Sequence, residues 1–148
     1  MTRPSREEVM VATAFLWAQR STCARMSVGA VAHREGRILV QGYNGAPSGL
    51  RHCNYEHEPE DCRAVHAEQN AVAWAARLGV ALNQAEWVIT HEPCLPCSRS
   101  LINSGVKSVL FVYPYRLHDG VELLEEAGIL VEQYLDWEEP RVVESPYA

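Results

Sequence analysis

No stretch of the sequence approaches the roughly 20 consecutive apolar residues that a membrane-spanning helix requires, so no such helix is expected. Met1 to Arg20 carries charge at both ends and a Glu7-Glu8 pair where a signal peptide would be apolar, so that stretch does not read as a signal peptide and a cytoplasmic location is expected. A basic surplus is also absent. Thirteen Lys and Arg stand against nineteen Asp and Glu, for a net charge of −6, which argues against a broad nucleic-acid-binding surface and leaves room for a local basic pocket holding one phosphate. Internal repeats and low-complexity tracts are lacking. At 148 residues and 47% hydrophobic content the chain reads as one domain, 1–148, with a proper core and a peripheral acidic tail at 135–148.

The cysteine count is informative. Five cysteines would leave one over if paired as disulfides, and a reducing compartment would open the rest, so metal ligation accounts for them better. The motif His66-Ala67-Glu68, followed downstream by Pro93-Cys94-Leu95-Pro96-Cys97, offers three zinc ligands, His66, Cys94 and Cys97, and one acid left over, Glu68. A structural zinc closes its tetrahedron with four protein ligands, whereas a hydrolytic one leaves the fourth position to water and keeps a proton carrier beside it. This His-x-Glu with a downstream Pro-Cys-x-x-Cys is the signature of zinc deaminases that act on cytosine or adenine rings. The context supports it. An apolar run, Trp87-Val88-Ile89, leads into the cysteines and a helix-like segment from Ser98 to Ser104 leads out, so both thiols fall at a helix start, where free backbone N–H groups favour thiolate. His66 opens another helical stretch through Val72, Ala75, Ala76 and Leu78, and two helix N-termini are expected to converge on the metal.

Cys23, Cys53 and Cys62 remain, with His52 and His57 nearby. They suffice for a second, closed zinc site, with His57 as fourth ligand or His52 in its place; as buried thiols they would instead serve as small hydrophobes. The polar stretch from Asn54 to Asp61 between Cys53 and Cys62 can bury little, and a structural zinc would hold it.

The rest of the chain reads as alternating elements. Ser5 with Glu7-Glu8 marks a helix start, and Val9, Ala12, Thr13, Leu16 and Trp17 share one face, which should pack on a sheet. Val28 to Ala32 and Ile38 to Gln41 are strands joined by the Arg34-Glu35-Gly36-Arg37 turn, and Gly42 to Gly49 reads as a loop. Then come the His66 helix, a strand near Glu86 to Thr90, the Cys94 helix, a strand at Ser108 to Tyr113, a helix near Gly120 to Ala127 and a strand at Ile129 to Tyr134. Such alternation means an α/β sandwich whose last two strands run parallel through a right-handed crossover. Trp74, Trp87 and Phe111 are assigned to the core, and His33, His91 and His118 are read as bystanders to the metal.

Five segments together resemble the deoxycytidylate (dCMP) deaminases of the cytidine deaminase-like superfamily. They are Cys23-Ala24-Arg25 ahead of Val28-Gly29-Ala30-Val31, Gly42-Tyr43-Asn44-Gly45 with Pro47 and Gly49, His66 to Ala71, Pro93 to Cys97, and Ile102-Asn103-Ser104-Gly105-Val106. The likeness covers roughly Cys23 to Val131. It implies a three-layer α/β/α fold around a mixed five-stranded sheet and a homo-oligomer, a dimer or a hexamer built from dimers. It also implies that Arg77 and Tyr115 meet the substrate phosphate, that Asn44 meets the deoxyribose, that the Ala67 N–H anchors pyrimidine O2, and that Cys23 and Cys53 hold a second zinc. Asp61 stands before Cys62 where some relatives have His, which leaves the fourth ligand open. Some relatives respond to dCTP and dTTP, through a pocket that the Gly42–Gly49 loop would help build. Arg25 either reaches the substrate or pairs with an acidic helix face.

The expected reaction is hydrolysis of dCMP to dUMP and ammonia in pyrimidine deoxynucleotide metabolism, with Glu68 making both proton transfers. Two alternatives stand beside it. One keeps the chemistry on another substrate: a nucleoside, a free base, C5-modified dCMP or a tRNA adenosine. The other is a nonenzymatic zinc-binding assembly module, against which the presence of Glu68 speaks.

Overall fold

The computed structural model describes residues 3–53 and 62–138. Nine elements follow in chain order: α1 (Arg6–Ala18), β1 (Gly29–Arg34), β2 (Arg37–Tyr43), α2 (Ala67–Leu78), β3 (Glu86–His91), α3 (Leu95–Asn103), β4 (Ser108–Tyr113), α4 (Asp119–Glu126) and β5 (Leu130–Gln133). The five strands form one sheet in the order β2-β1-β3-β4-β5. β1 pairs antiparallel with both β2 and β3, while β3-β4 and β4-β5 are parallel, as two intervening helices require.

Strand alternation sorts the core into two layers. Ala30, Ala32, Trp87, Ile89 and Val109 face α2, α3 and α4, where they meet Ala67, Ala71, Ala75, Leu101 and Leu124. Val31, Val88 and Val112 face the other way, onto Met10, Val11 and Ala14 of α1. The result is the expected three-layer α/β/α sandwich around a mixed five-stranded sheet.

Local chemistry explains the ends of the elements. Ser5 caps α1 by accepting the Glu8 N–H at 3.1 Å, with the Glu8 carboxylate returning to the Ser5 N–H. The β1-β2 hairpin turns on Glu35 and Gly36, whose φ values of 52° and 74° are the double left-handed pair that matches strand twist. Gly42 does something different: a Cβ there would strike the Ala67 carbonyl and the Ala71 N–H. Its bare backbone lets the first turn of α2 lie directly on β2, which sets the height of that helix end.

Several expectations need correction. The buried face of α1 is Met10, Val11, Ala14 and Ala18, whereas Val9 and Leu16 of the expected face are 46% and 64% exposed. This helix is apolar almost all round, and Gly29 decides the matter because its missing side chain admits the Ala14 carbonyl against β1. Gly42 and Tyr43 belong to β2, not to the loop. Trp87 and Phe111 are core, but Trp74 is 37% exposed on α2, and Ala76 and Leu78 also face outward. The tail is not wholly peripheral: Trp137 stacks on Phe15 at 4.1 Å between ring centroids, although Leu135 is exposed. No helix among the described residues is long and apolar enough to cross a membrane.

Candidate metal and active site

Two helix starts meet at one point. His66 is the N-cap residue of α2 and Cys94 that of α3, with Cys97 one turn further on. Gln69 fixes the His66 backbone by accepting its N–H at 3.2 Å, and Asn70 ties the same turn to β2 by donating to the Tyr43 carbonyl at 2.9 Å. Pro96 sits in the first turn of α3, where its missing N–H costs nothing. His66 Nδ1 lies 3.4 Å from Cys94 Sγ and 3.4 Å from Cys97 Sγ, and the three donor atoms all fall within 4.8 Å of one another.

That triangle fits zinc. Ligand bonds of about 2.3 Å to sulfur and 2.0 Å to nitrogen in a tetrahedron place N and S about 3.5 Å apart, close to the separation seen. The donor set of one imidazole and two thiols is one that zinc uses with an open fourth position. The closeness of the thiols sets their acidities apart. A hydrogen bond from Cys97 holds Cys94 down to about 4, and its role as donor, together with burial, pushes Cys97 far upward. One thiolate forms readily and the second only when a cation compensates for it. The hydrogen bond to Cys94 also raises His66, a tendency that metal ligation must overcome.

Glu68 is buried at 4% exposure in the first turn of α2, and burial pushes its carboxyl up to about 7. It interacts with Cys97 and lies beside all three ligands without joining their cluster. An acid so placed can hold and release a proton at the metal without binding it.

A cavity of about 190 Å³ opens onto this group. Its walls include His66, Ala67, Glu68 and Cys94, and facing them Arg25, Asn44 and Tyr115. Ala67 occupies the first position of α2, where a backbone N–H has no partner within the helix. The Asn44 amide is largely committed: Oδ1 accepts from Ser21 Oγ at 2.6 Å and from the Val28 N–H at 2.8 Å, and Nδ2 donates to the Met26 carbonyl at 2.7 Å. It clamps the segment that carries Arg25 and keeps one amide hydrogen for a ligand.

Arg77 is the one nominated substrate contact that the fold keeps away. It sits in the last turn of α2, about 15 Å along the axis from Ala67, and its guanidinium lies over the Trp74 ring at 4.7 Å. Cys23 and Cys62 line the cavity, and Cys53 does not. Among the described residues no second group of three His, Cys, Asp or Glu side chains gathers as His66, Cys94 and Cys97 do; His57, the nominated fourth ligand, and Asp61 lie outside the described residues. His33, His91 and His118 are not part of the metal group, although His91 lines the cavity. Glu92, which sequence reasoning passed over, also lines it at 6% exposure; the signal was its place one residue ahead of Pro93-Cys94.

Comparison with known proteins agrees with this geometry. The family model described as the cytidine and deoxycytidylate deaminase zinc-binding region matches residues 4–113. ComE operon protein 2 of Bacillus subtilis is 40% identical over 90% of this chain and 73% of its own length. The deoxycytidylate deaminase of Saccharomyces cerevisiae is 35% identical over 97% of this chain; the chain spans 49% of that protein's length. The crystal structure of a dCMP deaminase from cyanophage S-TIM5, in complex with dCMP and dUMP, superposes with a TM-score of 0.81 at 37% identity, covering 90% of this chain and all of that one.

Proposed function

Because the chain belongs to the cytidine and deoxycytidylate deaminase zinc-binding family, we propose that it hydrolyses dCMP to dUMP and ammonia. The observation that carries this reading is the buried Glu68 beside the His66, Cys94 and Cys97 triangle, in a cavity that Arg25 and Tyr115 also line. A zinc ion held by His66, Cys94 and Cys97 would supply a water that gives up its proton near neutral pH.

The side chains of this protein do the rest. Glu68 takes that proton and passes it to ring N3, which makes C4 electrophilic. The hydroxyl oxygen adds at C4; Glu68 then takes the proton of that new C4–OH and delivers it to the exocyclic amine, the C4–N bond breaks, and ammonia leaves as the C4 carbonyl forms. One carboxylate therefore serves both transfers, and water plus dCMP balance dUMP plus ammonia. The Ala67 N–H is free to hold pyrimidine O2, and the remaining amide hydrogen of Asn44 is available to the sugar. Among the described residues Arg25 is the one arginine or lysine that lines the cavity, which supports a phosphate site of Arg25 with the Tyr115 hydroxyl; Arg77 would take part only from a neighbouring subunit.

The proposal extends to a cytoplasmic homo-oligomer and to a second zinc held by Cys23, Cys53 and Cys62 with His57 or His52. Two cavity-lining cysteines, Cys23 and Cys62, support the latter. Metal analysis reads it directly: about two zinc ions per chain with the second site, one without. A panel of dCMP, C5-modified dCMP, deoxycytidine, free cytosine and a tRNA tests the substrate, with dCTP and dTTP added in separate arms. Strong preference for dCMP over deoxycytidine is expected. Equal turnover of the two would overturn the phosphate reading, and inactivity on every substrate would favour a nonenzymatic zinc-binding module.

A further inference from the structure

Glu92 stands between the metal loop and the segment that carries Tyr115. Its backbone N–H donates to the Tyr113 carbonyl at 2.8 Å, carrying the β3-β4 ladder one step past β3. Its side chain is almost fully buried, and a buried carboxylate must be partnered. The partners come from the 114–118 segment. Oε2 accepts the Tyr115 N–H at 3.1 Å, and His118 Nδ1 lies 2.9 Å from both carboxylate oxygens. A carboxylate can only accept, so Nδ1 carries the proton.

His118 is also the N-cap residue of α4, and just beyond it Gly120 lets that helix start against the Pro93 carbonyl and Ser98 Oγ. Glu92 thus grips both ends of the stretch from Tyr115 to His118, while lining the same cavity as Tyr115, Cys94 and Glu68. None of these contacts reaches the donor atoms of the metal triangle.

We propose that Glu92, with His118 as its outer brace, is a positioning residue that fixes Tyr115 on the cavity wall and so sets how firmly the far end of the nucleotide is held. The inference rests on the dCMP reading above. It assigns to Glu92 neither proton transfer nor metal ligation; its effect reaches the substrate through Tyr115.

The experiment is steady-state kinetics of the zinc-loaded protein on dCMP and on deoxycytidine, with zinc content measured on each preparation. Glu92→Ala should raise KM for dCMP about ten-fold with kcat changed less than about two-fold, the pattern of lost uniform binding. KM for deoxycytidine should hardly move. Glu92→Gln keeps an acceptor for the Tyr115 N–H and should restore most of the loss. The His118 side chain is 58% exposed, so His118→Ala tests the outer brace with little risk to folding; a rise of about three-fold in the dCMP KM is expected. A Glu92→Ala protein that loses zinc and kcat together would make Glu92 a support of the metal loop and overturn the proposal. So would His118→Ala with an unchanged dCMP KM, or equal damage to both substrates. Wild-type turnover of dCMP separates the two levels: if it is absent the dCMP reading fails, and if it is present only the Glu92 proposal is at stake.

Discussion

The two ends of α2, Ala67 and Leu78, are eleven residues apart on one helix, yet they differ in nearly every physical respect. At Ala67–Ala71 the helix buries Ala67, Glu68 and Ala71, lies against the bare backbone of Gly42 and starts beside the metal ligands, where its first N–H groups have no partner within the helix. At Trp74–Leu78 the outer side chains face solvent and Arg77 rests on the Trp74 ring. Helix polarity explains the division. The positive N-terminal end favours thiolate and carboxylate, whereas a cation such as Arg77 is at home near the carbonyls of the last turn. An arginine on a catalytic helix is therefore not, by that fact alone, an arginine in the catalytic site.

Changes at the chemical end should have the largest effects. His66→Ala removes one corner of the metal triangle, and zinc content and turnover should fall together, turnover by at least about 10³-fold. Retained zinc with retained turnover would move the chemistry elsewhere. Arg25→Ala comes next: losing a charge-assisted contact to a phosphate should lower kcat/KM on dCMP about ten- to hundred-fold while sparing deoxycytidine. Comparing the two substrates gives the answer. Gly42→Ala presses on the Ala67 carbonyl, and a thermal melt should show about 1–3 kcal/mol of destabilisation. The smallest effect belongs to the far end, where Arg77→Ala should change the dCMP KM less than about two-fold. A larger rise confined to dCMP would put Arg77 into the cavity of a neighbouring subunit.

Much of this comparison was legible in the sequence. The element order, the parallel β4-β5 pair and the metal triangle follow from patterns with strict geometric meaning: short apolar runs alternating with helical stretches, a Cys-x-x-Cys at a helix start, and a His-x-Glu. β4 was bounded to the residue because both of its ends are marked by polar or turn residues. What was misread involves distance or facing. Apolar side chains surround α1, so its periodicity could not reveal that Ala14 and Ala18, not Val9 and Leu16, meet the sheet; only the approach to Gly29 determines this. Arg77 is nominated by the resemblance alone, and a motif match does not display the helical rise that sets it, within this chain, at the far end of α2 on the Trp74 ring. Glu92 shows only its place ahead of Pro93-Cys94, while its partners Tyr115 and His118 lie more than twenty residues away. Position beside a motif marks the residue, but long-range pairing of that kind leaves no local trace of what it binds.

The most direct measurement is zinc content together with dCMP turnover on one preparation of Glu68→Gln, beside wild-type protein. If Glu68 moves protons and the metal rests on His66, Cys94 and Cys97 alone, the variant keeps its zinc and loses about 10²- to 10⁴-fold in kcat. A variant that loses its zinc, or that keeps both zinc and wild-type turnover, would contradict that division of labour.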